Sequence, residues 1–107
     1  MELKEAIEKA LKHYLIHIQI GVHHDGEKKL HRTIQCLNYI ENGGNIDKDW
    51  IVGKNLLFVD VFNEYSKYLK DEIQNALPDD NEVSKLRTER TTINLLLQGL
   101  KQHLGIV

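Results

Sequence analysis

Histidine is the residue type in this chain with the most chemistry to offer. There are six, and five of them (His13, His17, His23, His24 and His31) fall between positions 13 and 31. On a helix His13 and His17 stand one turn apart and His24 two further turns on, so the three line one edge of a helical stripe if the helix runs through Gly21. Imidazoles at that spacing can ligate zinc or another transition ion, with His31 or Asp25 completing the set. The glutamate that follows the first histidine of a metalloprotease helix is missing here: Tyr14 stands in its place. Histidines flanking an apolar stripe are ordinarily solvated or at an interface, and that reading is preferred over a metal site. No cofactor is expected.

Arg90 is the second unusual residue. Counting 100° per residue, it lies within about 40° of Leu86 and Leu97, where an unpaired charge is costly. Asp60 or Glu64 on the preceding segment is the expected structural partner. The functional alternative is an anion site at Arg90 assisted by Arg87 and Lys85. Other constellations are thin: no glycine-rich phosphate loop and no Gly-Xaa-Ser-Xaa-Gly elbow occurs, and the only serines are Ser66 and Ser84. The carboxylate pairs Asp47/Asp49 and Asp79/Asp80 sit at helix starts, where capping accounts for them. Cys36, the single cysteine, lies in the apolar run 34–37 and reads as a small buried hydrophobe. Nothing in this inventory assembles an enzyme.

These side chains would be positioned by helices. Leu3, Ile7, Leu11, Tyr14, Ile18 and Val22 recur three or four apart over residues 2–24, with Ala10 and Leu15 flanking. Asp25 can cap a second helix over 27–41 with the stripe Leu30, Ile34, Leu37 and Ile40, ended by Gly43. Asn45 or Asp47 can start a third that runs to about Leu77. Its wide face joins the rows Trp50, Leu57, Val61, Tyr65, Tyr68 and Ile51, Phe58, Phe62, Leu69, Ile73, and Pro78 closes it. Asp79 or Asp80 can cap the fourth, with Val83, Leu86, Ile93, Leu97, Leu100 and Leu104 as its stripe. Gly105 is its left-handed stop, and Ile106 can fold back on Leu100. Short connections favour antiparallel neighbours, so the expected fold is all-α: a small up-and-down bundle of about four helices forming a single domain over 1–107. Residues 15–22 alternate apolar and polar before Asp25-Gly26, and 50–62 are rich in β-branched and aromatic residues. Short strands there, in an α+β fold, are the alternative.

The length of 107 residues leaves room for one domain, and no apolar run approaches the ~18 residues of a bilayer span. Acidic and basic residues number 16 and 14, and both halves of the chain carry seven basic against eight acidic side chains. Even the most basic stretch, Lys28 to Arg32, sits in a net negative chain, which argues against a nucleic-acid surface. Charges at Glu2, Lys4, Glu5, Glu8, Lys9 and Lys12 interrupt any secretory signal, so a cytoplasmic protein is expected. Ile16, Ile20, Val52, Leu56 and Val59 point away from the stripes, as does Leu95, and one core cannot take them all. They are read as an interface, most simply that of a two-fold homodimer. The expected function is a non-enzymatic protein–protein interaction module in a regulatory or inhibitory role. The alternative is a small-ligand or metal-binding bundle using the His13/His17/His24 edge or the Arg90 contact.

Overall fold

The computed structural model describes residues 2–20, 26–76 and 81–105. Five helices fill them: α1 (Leu3–Ile20), α2 (Gly26–Glu41), α3 (Lys48–Gly53), α4 (Asn55–Asn75) and α5 (Glu82–Leu104). No strand occurs among the described residues, and the chain is an all-α bundle. Both stretches with strand character are helical where they are described, at 15–20 and at 50–53 and 55–62. The reason is burial. Leu57, Phe58, Val61, Phe62, Tyr65 and Leu69 repeat at helical spacing and are each at most 6 % exposed, and packing of that extent outweighs the roughly 1 kcal/mol span of β-propensity. α4 is the central element: it packs on α1, α2, α3 and, most extensively, α5.

The expected third helix is two helices. Asp47 caps α3, its Oδ1 accepting from the Trp50 N–H at 2.7 Å, and Gly53 ends it. Lys54 then adopts φ −112° and ψ 28°, its N–H directed at the Ile51 and Val52 carbonyls. In one straight helix Trp50 and Phe58 would be separated by about 12 Å along the axis. The break brings their rings edge to face at 5.4 Å, while the other side of Trp50 stacks on Tyr39 at 5.1 Å.

The stripe of α2 is also turned from its expected phase. Thr33, Cys36, Leu37 and Ile40 face inward, whereas Ile34 is 39 % exposed. Thr33 tolerates complete burial because its hydroxyl donates to the Lys29 carbonyl one turn back, at 2.7 Å. On α1 the inward set is Ala6, Ile7, Ala10, Leu11 and Tyr14. On α5 it is Ile93, Leu97 and Leu100, with Glu89 buried among them. Gly105 stops α5 at φ 72°. The caps expected at Asp25, Asp79 and Asp80, the stop at Pro78 and the Ile106 fold-back lie outside the described residues. Among the described residues no helix is long and apolar enough to cross a membrane.

The end of α2 is a Schellman turn. Gly43 (φ 81°) donates to the Ile40 carbonyl and Gly44 to the Tyr39 carbonyl. Gly44 lies against the face of the Tyr39 ring, so that a Cβ there would fall inside the ring's van der Waals envelope. The ring cannot swing freely, being stacked on Trp50 and tied through its hydroxyl to the Asn45 carbonyl at 3.1 Å. Gly44→Ala is therefore expected to lower unfolding free energy by about 1–3 kcal/mol, as overpacking does, and to cost much less in a Tyr39→Ala background. Denaturant titrations of the four proteins check this; equal costs in both backgrounds would refute it.

Candidate functional site

Among the described residues one carboxyl is buried. Glu89 is 3 % exposed, and its Oε1 accepts a 2.7 Å hydrogen bond from the Tyr65 hydroxyl of α4. Lys9 of α1 approaches the same oxygen at 3.8 Å. Burial, together with the bond to Glu89 and the charges of Glu89 and Tyr68, raises the Tyr65 pKa far above its ordinary value near 10. The phenol therefore remains the donor across the physiological range. Glu89 stands three residues after Leu86 and four before Ile93, at the centre of the α5 stripe, and that spacing was the signal in the sequence.

Arg90, one position on, is rotated about 100° from Glu89, and it is only half-buried. The pairing expected for it with Asp60 or Glu64 is not what forms. Asp60 takes Lys29 at 3.2 Å, and Glu64 takes His17 and Lys67, each at 3.9 Å. The Arg90 Nε is buried and has no hydrogen-bond partner. Its proposed helpers do not converge with it. Lys85 is exposed, pairs with Glu82 at 3.6 Å, and points about 140° away from Arg90 around the helix. Arg87 is exposed.

Of the histidine edge, the structure brings His13 and His17 together, their rings stacked with centroids 6.2 Å apart. His24 lies outside the described residues. The His13 ring also rests on Tyr68 at 4.5 Å and Tyr65 at 5.5 Å. Among the described residues no group of three or more His, Cys, Asp or Glu side chains is arranged to hold a metal ion. Burial, and secondarily the neighbouring His17, lower the His13 pKa below 6.5, against a weaker opposing pull from Glu64.

A concave site that the sequence reading missed opens between α2, α3 and the start of α4, enclosing about 530 Å³. Arg32 and Gln35 line it from α2, Lys54 and Asn55 from the α3–α4 break, and the stacked Tyr39 and Trp50 rings form a wall. Cys36 and Leu57, both nearly inaccessible, lie at its base. Burial pushes the Cys36 thiol up, with Lys54 pulling the other way, so the thiol serves as an apolar surface.

The five residues read as an interface divide. Ile16 is 61 % exposed, and Leu95 on α5 is 64 % exposed. Val52 and Val59 are half-buried against the core, which corrects the reading that they point away from it: α4 is enclosed by helices on several sides, and α3 departs from its axis at Lys54. The side chains of Ile20 and Leu56 lie outside the described set.

Two outcomes follow from the buried groups. Tyr65→Phe should destabilise by about 1–3 kcal/mol, the cost of leaving a buried polar group unmatched. Adding Glu89→Leu should restore much of the loss, because the orphaned carboxyl is then gone; a double variant weaker than the single one would contradict the pairing. His13, whose pKa is lower folded than unfolded, contributes stability that is intact above about pH 6.5 and is lost as pH falls through the folded value. His13→Gln should thus shrink the difference in denaturation midpoint between about pH 7.5 and pH 5.5, and an unchanged difference would contradict it. No protein-family model, curated protein or solved structure matches the chain.

Proposed function

We propose that this chain is a non-enzymatic protein-interaction module that works as a homodimer through the outer face of α1, in a regulatory or inhibitory role. The residues with the greatest chemical potential support that reading by being occupied. Glu89 is held by Tyr65 and Lys9, Asp60 by Lys29, and Glu64 by His17 and Lys67. Glu89 is buried in its pairing, whereas a catalytic group needs access to a substrate.

The observation that carries the proposal is Ile16, a large β-branched side chain left 61 % exposed on the second half of α1. Burying such a side chain fully is worth roughly 1.5–3 kcal/mol. Glu5, Lys9 and Lys12 fall with it inside about 60° of the helix wheel, and all four are exposed. The strip carries both signs, with Ile16 at its C-terminal end, and a surface of both signs can pair with its own copy under a two-fold axis, the commonest symmetry of soluble assemblies. A second copy of this chain is therefore the partner it suits best.

Ile16→Glu is the test. The wild-type protein is expected to sediment as a dimer with a melting temperature that rises with concentration. The variant should be a folded monomer, since a carboxylate placed in a dry interface is desolvated without compensation. A wild type that is monomeric at every concentration, or a dimer indifferent to Ile16→Glu, overturns the proposal.

A further inference from the structure

The α2–α3–α4 cleft shares no residue with the α1 face, and its chemistry is of a different kind. We infer that it is a binding site for a small anion carrying a planar, largely apolar ring system, as in a mononucleotide or an aromatic sulfonate. Its volume of about 530 Å³ falls within the roughly 300–1,000 Å³ of small-molecule sites.

Four observations converge on that class of ligand. First, the described lining contains two cations, Arg32 and Lys54, and no carboxylate. Among the described residues neither cation makes an ion pair that would neutralise it. In a chain of net charge −2, a concave surface of local positive charge attracts anions that the rest of the molecule repels. Second, the planar guanidinium of Arg32 matches phosphate, sulfonate or carboxylate oxygens in bidentate fashion, with Lys54 as a point charge on the same lining. Third, the apolar part of the cleft is made of Leu57, the protonated Cys36 thiol and the ring edges that Trp50 and Tyr39 leave uncovered, a surface against which a ring body can lie. The side-chain amides of Gln35 and Asn55 offer both donors and acceptors to polar atoms on that ring.

The fourth observation is preorganisation. Tyr39 is fixed between Gly44 and Trp50 and through its hydroxyl to Asn45. Trp50 is fixed through the Asp47 cap on its N–H and by the edge of Phe58. A wall already in place spares the ligand the cost of ordering it.

Trp50 is the only tryptophan, so its emission reports on this cleft alone. The probes are adenosine 5′-monophosphate and 8-anilinonaphthalene-1-sulfonate, with adenosine and inorganic phosphate as the separated halves, followed by Trp50 fluorescence and by calorimetry. A ring anion should bind saturably at one site and perturb Trp50, and adenosine and phosphate should each bind at least about tenfold more weakly. Arg32→Gln and Lys54→Gln should each weaken the ring anion by about tenfold or more, the scale of one charged hydrogen bond. Lys70→Gln, an exposed change on α4 outside the lining, should leave affinity unchanged. Arg32 is exposed on α2, so its variant keeps the fold and decides the matter even if Lys54→Gln disturbs the α3–α4 break. The inference is overturned if neither ring anion binds saturably, if adenosine binds as well as its phosphate, or if Arg32→Gln leaves affinity unchanged. None of these readouts depends on whether the chain dimerises.

Discussion

Everything in this bundle is arranged around the need to enclose α4. A helix whose Phe58, Val61, Phe62 and Leu69 are wholly inaccessible has apolar residues around more than half its circumference, and no single neighbour can cover them. α5 takes the longest side, α1 and α2 take others, and the short α3 closes the N-terminal end. Each covering helix then needs only a narrow stripe of its own. That is why small residues, Ala6 and Ala10 on α1 and Cys36 on α2, occupy positions that a pairwise bundle would fill with leucine. The Phe58–Phe62 contact at 5.3 Å and the Trp50–Phe58 contact beside it extend one aromatic run from the centre of α4 to α3.

Enclosing α4 also settles the polar side chains. Tyr65 continues the buried face of α4, and its hydroxyl needs a partner once desolvated. The partner comes from α5 in the form of Glu89, and Lys9 of α1 closes over the pair. A buried carboxyl set among Ile93, Leu97 and Leu100 contributes little net stability, because its desolvation offsets most of the attraction. Its effect is on register: sliding α5 by one turn along α4 would strand both Tyr65 and Glu89. The Ser66–Asn94 bond at 2.6 Å, further along the same two helices, fixes the same register at the surface, where errors cost less.

What could be read from the sequence was whatever depends on local spacing. The helices, the Gly43 and Gly105 stops, the Asp47 cap and the burial of Cys36 all follow from residues within one or two turns of each other. The rotated face of α2 did not, because Thr33 and Ile34 are equally good candidates until Lys29 supplies a carbonyl for the threonine and α4 decides which side is inside. Glu89 was overlooked beside Arg90 for a related reason. Both lie near the α5 stripe, and only a hydroxyl from α4 makes the carboxyl the better resident. The ligand cleft left no mark on the sequence, since Arg32, Trp50 and Lys54 come from three elements and share no spacing. Exposure of Ile16 was visible as an apolar residue out of phase, whereas Val52 and Val59 gave the same signal and are packed on the core, because wheel arithmetic assumes one covered side and α4 has several.

The break at Lys54 ties the core to the cleft. Gly53 weakens a continuous helix by about 1 kcal/mol relative to alanine, but weakening alone does not produce a bend. The bend is held because it gains the Trp50–Phe58 contact and the Trp50–Tyr39 stack, each worth roughly 0.5–1.5 kcal/mol beyond the area buried. The same turn of the chain places Lys54 and Asn55 on the rim and leaves the space between α2 and α3 open. Straightening the junction would remove the aromatic contacts and the concavity together. The cleft wall is therefore an extension of the aromatic core, and a ligand seated there would stabilise the fold through the residues that form it.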